Sequence, residues 1–343
     1  MASELGFSAI TGWDRRALEA KITNLASGIR GMFNGDGPDL IGLAEVQNER
    51  VARHLLTALG SNDYALVTTN HPQTTATDTA LIYSKAIFDE ESVQTHSHLV
   101  HQRFLTCDIL EVQLTTLASK SNLTVLVNHW PSRREENSDA FRQTISSHCS
   151  HLVNRHLKLN RRDYLELSDT ELSRHRLTDL WNANLLLMGS FNDNPWDRSI
   201  KDILNAGYSL QAMREPVPFP QSGLPSWRAY TSHRPKLYNP TWSLLGQPDR
   251  GTCIDPAHPL TMSVYDQLMI SRGLVTGQSG LQVAADSHGV PMMKCLSKET
   301  LTNDFGQPIP FNCDTYNGYS DRLPIGLVLE VTPRKSDMRY NHS

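Results

Sequence analysis

Side chains suited to phosphoryl chemistry stand at or just past the ends of several apolar stretches: Glu45, His129, Ser190 with Asn192, Asp266 and Asp321. Magnesium is held in proteins by one or two carboxylates together with water. Attack of water on phosphorus also needs a base, and donors for the charge that develops on the phosphate. If the fold brings these residues together, they form a magnesium-assisted phosphoryl-transfer site. Each of them alone is equally compatible with an ordinary structural role.

The most informative of these stretches covers residues 184–199, NLLLMGSFNDNPWDRS. Its apolar run predicts a buried strand, which Gly189 ends. A crowded polar turn follows, and Asp197 predicts the cap of a helix that runs to Ala206. Active sites of α/β proteins lie where a buried strand opens into such a turn. The alternative is a plain strand-turn-helix with a hydrogen-bonded loop.

Hydrophobic periodicity predicts the elements that must position these residues. Helices are predicted over 14–33, 48–59, 138–159 and 168–181, and strands over 39–43, 64–68, 79–83, 104–114, 123–128, 264–271 and 325–331, with a possible short strand over 7–10. Strands and helices alternate, but several strands are close enough in sequence to pair as antiparallel neighbours. The pattern therefore favours a layered α/β fold with mixed sheets.

Composition bounds the class of protein. The chain has 343 residues and a net charge of −4, with acidic and basic residues mixed along it. The overall charge therefore does not indicate a nucleic-acid-binding protein. The cysteine number, five, is odd and no CxxC spacing occurs, which favours reduced thiols over a disulfide framework or a zinc site. No signal sequence or membrane-spanning run is apparent. We expect a soluble cytoplasmic protein; the sequence does not indicate its oligomeric state.

Five stretches in order resemble the signatures of the endonuclease/exonuclease/phosphatase superfamily, which has the deoxyribonuclease I-like fold. They lie at 39–48 (DLIGLAEVQN), 127–133 (VNHWPSR), 189–195 (GSFNDNP), 265–271 (YDQLMIS) and 319–324 (YSDRLP). The chain is most similar to bacterial members with an Asn-His-Trp-Pro-Ser-Arg motif. The resemblance implies a four-layer α/β sandwich, in which two mixed sheets lie face to face between helices. It also implies cleavage of phosphoesters with magnesium or manganese.

The resemblance extends over nearly the whole chain, so we expect a single domain over 1–332. Residues 208–262 are irregular and too long for a simple connection, which predicts an insertion, and the tail over 333–343 is predicted to be disordered. The insertion carries Trp227, Tyr230, Tyr238 and Trp242. These aromatic side chains could stack on the bases of a nucleic acid. The alternative is that they pack the insertion onto the sheet.

Matching positions imply roles for individual residues. Glu45 corresponds to the metal-binding glutamate, and His129 to the histidine that contacts the scissile phosphate. Asn192 corresponds to the asparagine that donates to the phosphate and orients the attacking water. Asp266 corresponds to a phosphate-side or metal-side carboxylate. Asp321 corresponds to an aspartate that binds metal or holds its histidine neighbour.

Substrate contacts are expected from Arg133, in the second signature, and from Arg322. The latter stands where the family has the final histidine of Ser-Asp-His. Arginine stays charged and cannot shuttle a proton, although it can bind a phosphate oxygen.

The other departures also concern the chemistry. Ser190 replaces the aspartate that is the family's usual base, and residues 1–13 lack the asparagine that usually ends the first strand. We therefore expect a metal-dependent nuclease or phosphodiesterase with weakened hydrolysis. The alternatives are an inactive relative that binds a phosphorylated ligand, nucleic acid or a protein, and a decayed copy without function.

Overall fold

The structure is a computed structural model, and it describes residues 13–60, 62–69, 78–102, 105–220, 222–246, 251–255, 258–291, 293–295 and 298–333. The possible strand over 7–10 and most of the predicted disordered tail lie outside these residues. No described helix has the length and apolar character needed to cross a membrane. The cysteines Cys107, Cys149, Cys253 and Cys313 are free thiols.

Helices and strands alternate along the chain. The described helices are α1 (Arg15–Arg30), α2 (Glu49–Leu59), α3 (Ser138–Leu157), α4 (Arg161–Leu165), α5 (Glu171–Trp181), α6 (Leu210–Arg214), α7 (Trp227–Ser232), α8 (Arg272–Thr276) and α9 (Lys298–Leu301). The first strands are β1 (Leu40–Val46), β2 (Tyr64–Thr68), β3 (Asp78–Ser84), β4 (Gln94–Gln102), β5 (Leu105–Thr115), β6 (Asn122–His129), β7 (Leu185–Ser190) and β8 (Ala206–Gly207). The later strands are β9 (Leu237–Tyr238), β10 (Cys253–Asp255), β11 (His258–Ser263), β12 (Asp266–Ile270), β13 (Leu281–Val283), β14 (Met293–Cys295), β15 (Ile325–Leu327) and β16 (Leu329–Val331).

Two main sheets form the inner layers. One is an antiparallel sheet of order β1-β3-β2, and the other is a seven-stranded mixed sheet of order β4-β5-β6-β7-β12-β9-β8. The apolar core between them includes Tyr83 of β3 and Val112, Val125 and Leu268 of the larger sheet. Side chains alternate between the faces of a strand, so each sheet also has an outer apolar face that needs cover.

Helices supply that cover. On the smaller sheet, Leu18 of α1 and Leu55 of α2 share a buried cluster with Ile82. On the larger sheet, Phe141 of α3 shares a cluster with Leu126. The predicted four-layer α/β sandwich with two sheets between helices is therefore confirmed.

Several predicted elements differ in detail. In place of the helix predicted over 197–206, one π-helical turn covers Ser199–Ile203. Strand β4 was not predicted, because its sequence is polar and its first residues are exposed. The last predicted strand divides into β15, which pairs with β14, and β16, which pairs with β13.

Pairing in the larger sheet brings three strand ends that carry predicted site residues side by side. Strands β6 and β7 are parallel, and His129 pairs with Ser190 at their carboxyl ends. Strand β12 is antiparallel to β7, and its first residue, Asp266, also pairs with Ser190. The order His129, Ser190, Asp266 thus runs across three adjacent strands at one edge.

Candidate active site

Glu45 comes from the smaller sheet and reaches the same edge through a local irregularity. The pairing of β1 with β3 shifts register between Leu43 and Val46, and Glu45 inside this bulge has a left-handed φ of 59°. Bulges re-aim side chains, and left-handed backbone at a residue other than glycine marks a locally strained position. The Oε1 atom of Glu45 lies 3.3 Å from Nε2 of His129.

The Asn-His-Trp motif is held to the next strand by its backbone and its buried indole. The Trp130 amide donates to the Ser190 carbonyl at 2.8 Å. The Trp130 ring is fully buried and lies edge to face with Phe191, with centroids 4.9 Å apart. The Asn192 side-chain amide donates to the Trp130 carbonyl at 2.6 Å, while its backbone has a φ of 51°. These contacts fix the direction in which the Asn192 side chain points.

Arg322 is the residue that joins the site. Its Nη1 donates to Ser190 Oγ at 2.9 Å and to both Asp266 oxygens at 3.1 and 3.3 Å. Its Nη2 donates to Asn192 Oδ1 at 2.9 Å and lies 3.7 Å from Glu45 Oε1. The guanidinium therefore lies between four polar side chains at one edge of the two sheets.

Asp266 is held from two sides. It accepts the contacts from Arg322, and Thr252 Oγ1 donates to its Oδ2 at 2.7 Å. The Asp266 amide in turn donates to Thr252 Oγ1 at 3.2 Å. Thr252 lies in the irregular insertion and carries no sequence signal that would have identified it.

Arg133 lies next to the site but directs its donors at the turn after β7. Its Nε donates to the Asn192 carbonyl at 2.9 Å, and Nη2 donates to Asp193 Oδ1 at 3.0 Å and also to Asp197. The buried Asp193 carboxylate also accepts from Arg142 at 2.8 Å. Arg133 thus stabilises the turn that presents Asn192, and its predicted contact with substrate stays a prediction.

Asp321 is exposed beside Arg322. The Oγ atom of Ser320 donates to its Oδ1 at 3.5 Å. Its charge helps to raise the pKa of the Arg322 guanidinium. The structure therefore gathers Glu45, His129 and Asn192 around Arg322 together with Asp266, whereas Asp321 lies at the rim.

Charges in the site are coupled. The hydrogen bond from His129 and the nearby charge of Arg322 together lower the pKa of Glu45 to about 2, against the opposing effect of burial. Burial lowers the pKa of the Arg322 guanidinium, but the surrounding carboxylates, Asp266 foremost, raise it above its ordinary value. Glu45 is therefore ionised, and Arg322 is charged, at neutral pH.

The described residues contain no group of three His, Cys, Asp or Glu side chains arranged to hold a metal ion. Magnesium, however, needs only one or two carboxylates and completes its shell with water and substrate oxygens. Glu45 is ionised and half-exposed, and it meets this minimum. Asp266 is already engaged by Arg322 and Thr252. These side chains could hold one Mg²⁺ or Mn²⁺ weakly. Arg322 and the metal ion would compete for the Glu45 carboxylate.

The aromatic residues of the insertion divide into two groups. Tyr238 lies in the core, and Tyr230 is buried against Tyr164 and Trp227, so these side chains pack the insertion onto the domain.

The second group is at the surface, where Trp242 and Tyr208 of the insertion meet Trp196, which lies outside the insertion. Trp242 lies edge to face with Trp196 and tilted against Tyr208, with centroids 6.1 and 5.1 Å apart. Trp196 and Tyr208 are 48% and 65% exposed. Because Trp196 is four residues past Asn192, the Cα atoms of these two residues lie within about 15 Å of each other.

Residues 5–217 match the family model described as the Endonuclease/Exonuclease/phosphatase family. No curated protein sequence matches the chain.

Solved structures share the fold at low identity. The human Nocturnin catalytic domain with bound sulfate is 13% identical, with a TM-score of 0.52 and coverage of 92% of this chain and 87% of that one. A mannosyl-6-phosphatase from Bacteroides thetaiotaomicron is 12% identical, with a TM-score of 0.53 and coverage of 91% of each chain.

TDP2 of D. rerio, complexed with a single-stranded DNA product, is 13% identical, with a TM-score of 0.50 and coverage of 93% of this chain and 95% of that one. Identities this low establish a common architecture and no more. The family match extends over more than half of the sequence, and the architecture extends over nearly all of it. This chain belongs to the endonuclease/exonuclease/phosphatase family.

Proposed function

We propose that this chain is a metal-dependent phosphoester hydrolase, of nuclease or phosphodiesterase type, whose rate is reduced by its own arginine. The observation that carries the proposal is the position of Arg322, which binds Ser190, Asn192 and Asp266 beside the Glu45–His129 pair. The side chains of a phosphoesterase site are together, but a guanidinium lies where a base is needed.

The charge balance supports a role for a divalent cation. Glu45, Asp266 and Asp321 carry three negative charges in formal terms, against the one positive charge of Arg322. An anionic phosphoester entering this cleft would be repelled unless a cation came with it. Mg²⁺ or Mn²⁺ held by Glu45 would supply that charge and polarise a phosphate oxygen.

Roles for the other side chains follow from their geometry. His129 stands beside Glu45, where its ring can donate to a phosphate oxygen. The Asn192 amide has two hydrogens, so it can donate to a phosphate oxygen as well as to the Trp130 carbonyl. Asp266 is the carboxylate nearest to Ser190 and is the candidate base. Arg322 donates to both oxygens of that carboxylate, so both are already engaged when a water approaches.

We expect the rate of hydrolysis to be reduced by a large factor. A positioned proton-transfer group contributes about 10²–10⁴-fold to the rate of such reactions. Effects within one catalytic array do not multiply. We therefore propose a rate about 10²–10⁴-fold below that of a family member with the usual aspartate and histidine.

Hydrolysis of bis-p-nitrophenyl phosphate and of plasmid DNA, with magnesium or manganese and with a chelator, tests the proposal. Turnover should be chelator-sensitive and should be lost in Glu45→Ala. The matched control is Glu91→Ala, which removes an exposed carboxylate from a turn outside the site. Turnover that survives both the chelator and Glu45→Ala would contradict the proposal.

A second candidate function is binding of a phosphorylated ligand without hydrolysis. The contacts of Arg322 with Asn192 and Asp266 favour it, because they keep a guanidinium in the cleft. It predicts no turnover above the Glu45→Ala background, together with calorimetric binding of inorganic phosphate that Arg322→Gln abolishes.

The surface formed by Trp196, Tyr208 and Trp242 supports single-stranded nucleic acid as the substrate class, since aromatic surfaces stack on bases of any sequence. The free thiols support a reducing, cytoplasmic location.

A further inference from the structure

A cavity of about 390 Å³ lies beside the larger sheet, at the ends of the strands that are opposite to the phosphoester cleft. Its lining includes Trp181, just before the start of β7, and Arg272, just after the end of β12. The cleft is at the other ends of the same two strands, at Ser190 and Asp266. Five residues of strand separate the two ends, which is about 17 Å. A ligand in this cavity therefore does not touch the cleft.

Positive charge exceeds negative charge around the cavity. Arg234, Lys236 and Arg272 line it, and among the described residues of the lining Glu215 is the one acidic side chain. The Glu215 carboxylate lies 3.8 Å from Lys236 Nζ and so balances one of the three cations. The cavity retains a formal charge of about +2, which favours an anion.

The two arginines contact uncharged oxygens. The guanidinium of Arg234 donates to the backbone carbonyl of Ile203 at 2.6 Å, on an exposed part of the rim. Arg272 donates to the backbone carbonyl of Glu215 at 3.0 Å and to the side chain of Asn182. These acceptors position the guanidinium groups without cancelling their charge.

Arg272 is also partly desolvated. Burial lowers the pKa of its guanidinium below the ordinary value. A cation in such surroundings gains more from an anionic partner than a fully solvated cation does.

The rest of the lining is apolar. Trp181, Met213 and Leu157 are buried side chains that contribute to it, and Pro216 and Pro218 continue it. Small-molecule sites combine such walls with a few placed polar groups, and volumes of about 300–1,000 Å³ are typical. The size is that of a compact molecule with one ring.

We propose that this cavity binds a small organic dianion with an aromatic or similarly apolar body, at a site separate from the phosphoester cleft. The charged groups of the ligand lie against Arg234, Lys236 and Arg272, and its apolar part lies against Trp181 and Met213. The insertion supplies most of these residues, which gives that segment a function apart from the cleft.

Phthalate is a suitable probe because it has a ring and two carboxylates and is no phosphoester. Isothermal titration calorimetry should show one site per chain. Benzamide lacks the charge and succinate lacks the ring, and each should bind at least about tenfold more weakly. The affinity for phthalate should also fall as sodium chloride is raised, since exposed charges on the rim are screened.

Variants locate the site. Arg234→Gln with Lys236→Gln should weaken phthalate about tenfold or more, because two charged contacts are removed from exposed positions. The matched control is Arg161→Gln with Arg228→Gln, which removes two exposed charges that do not line the cavity. Trp181→Phe should remove the change in tryptophan fluorescence that phthalate causes.

Two outcomes would overturn the proposal. One is phthalate binding no tighter than succinate or benzamide. The other is binding that Arg234→Gln with Lys236→Gln leaves unchanged. Glu45→Ala separates this site from the cleft: phthalate binding should persist in that variant whether or not the chain hydrolyses phosphoesters.

Discussion

Nη1 of Arg322 donates a hydrogen bond to Oγ of Ser190 at 2.9 Å, across 132 residues of sequence. These are the two positions at which the chain replaces the family's aspartate and histidine, and they are in direct contact. The short Ser190 hydroxyl leaves room for this guanidinium, which also forms an ion pair with Asp266. We therefore expect the two replacements to act together rather than independently.

Restoring one of the two positions should not restore hydrolysis. Ser190→Asp alone would place a second carboxylate next to Arg322. The two would form an ion pair, and the new carboxylate would then be a poor base. Arg322→His alone would leave no aspartate at position 190. The double variant should raise metal-dependent hydrolysis of bis-p-nitrophenyl phosphate by about 10²–10⁴-fold.

The coupling is measured by a double-mutant cycle on the hydrolysis rate, with Glu91→Gln, at an exposed position outside the site, as the control. Additive effects of the two single changes would show that Ser190 and Arg322 act independently. No gain in the double variant would assign the weakness to another defect, such as the missing asparagine of the first strand.

Gly189 should tolerate no side chain. Its φ is +131°, and a Cβ atom there would lie 2.0 Å from the Asn128 carbonyl oxygen on β6. Gly189→Ala should therefore separate β6 from β7 and lower the free energy of unfolding by about 2 kcal/mol or more.

Gly207→Ala in β8 is the matched control, because no atom lies within 4 Å of its Cβ position. It should stay within about 1 kcal/mol of the parent chain. Urea denaturation measures both variants, and equal losses of stability would refute the steric argument.

Glu111 anchors α3 and β4 to the outer face of the larger sheet. Its side chain is 1% exposed and lies 2.8 Å from His98 Nε2, 3.0 Å from His156 Nε2 and 2.5 Å from Arg155 Nη2. Gln113 donates to it at 3.1 Å. Burial raises the pKa of this carboxyl, but the hydrogen bonds from His156 and His98 outweigh burial and bring the pKa below its ordinary value of 4.5.

This cluster should make the chain sensitive to acid. A carboxyl with a lowered pKa in the folded state stabilises the fold above its unfolded pKa, near 4.5, and loses that contribution as the pH falls below it. Glu111→Gln should lower the free energy of unfolding by about 1–3 kcal/mol at pH 7, since it weakens the hydrogen bonds that the buried Glu111 carboxylate accepts.

Urea midpoints at pH 7, 5, 4 and 3 test this expectation. The loss of stability between pH 5 and 3 should be smaller in Glu111→Gln than in the parent chain. Glu91→Gln, at an exposed position, should show the same change of urea midpoint with pH as the parent chain. If the urea midpoint changed with pH equally in all three proteins, Glu111 would be excluded as the source of acid sensitivity.

The exposed aromatic surface should bind bases rather than phosphates. Trp196→Ala should weaken binding of a single-stranded oligonucleotide by about 1–3 kcal/mol, the usual contribution of stacking on one base. It should leave an abasic oligonucleotide of equal length unaffected. Fluorescence anisotropy measures both ligands.

Phe305→Ala is the control for removal of an exposed aromatic ring, since Phe305 is 83% exposed and outside this surface. If Trp196→Ala weakened both oligonucleotides equally, the surface would act on the backbone and the stacking argument would be wrong.

Local patterns were sufficient for most of the elements. The periodic apolar residues of α1 and the asparagine cap of α2, where Asn48 accepts from the Val51 amide at 3.0 Å, are signals within one turn of helix. Strand 64–68 was predicted with the bounds that β2 has. The order of the five motifs was sufficient to identify the family.

Strand β4 shows where local patterns fail. Its sequence, QTHSHLVHQ, lacks the apolar alternation of a half-buried strand. It forms because β5 offers nine residues in register to pair with. Pairing with a neighbour outweighs propensity in such edge strands.

The sequence by itself determined which residues could take part in phosphoryl chemistry, since residue type and motif order are properties of the chain. Only the tertiary structure decided which of them meet: Arg322 turns inward to Asp266 and Asn192, while its neighbour Asp321 stays exposed. Arg133 likewise holds the Asn192 turn through Asp193. The reason is physical, because these contacts join segments far apart in sequence, and their geometry depends on how the two sheets pack rather than on any local preference of the backbone.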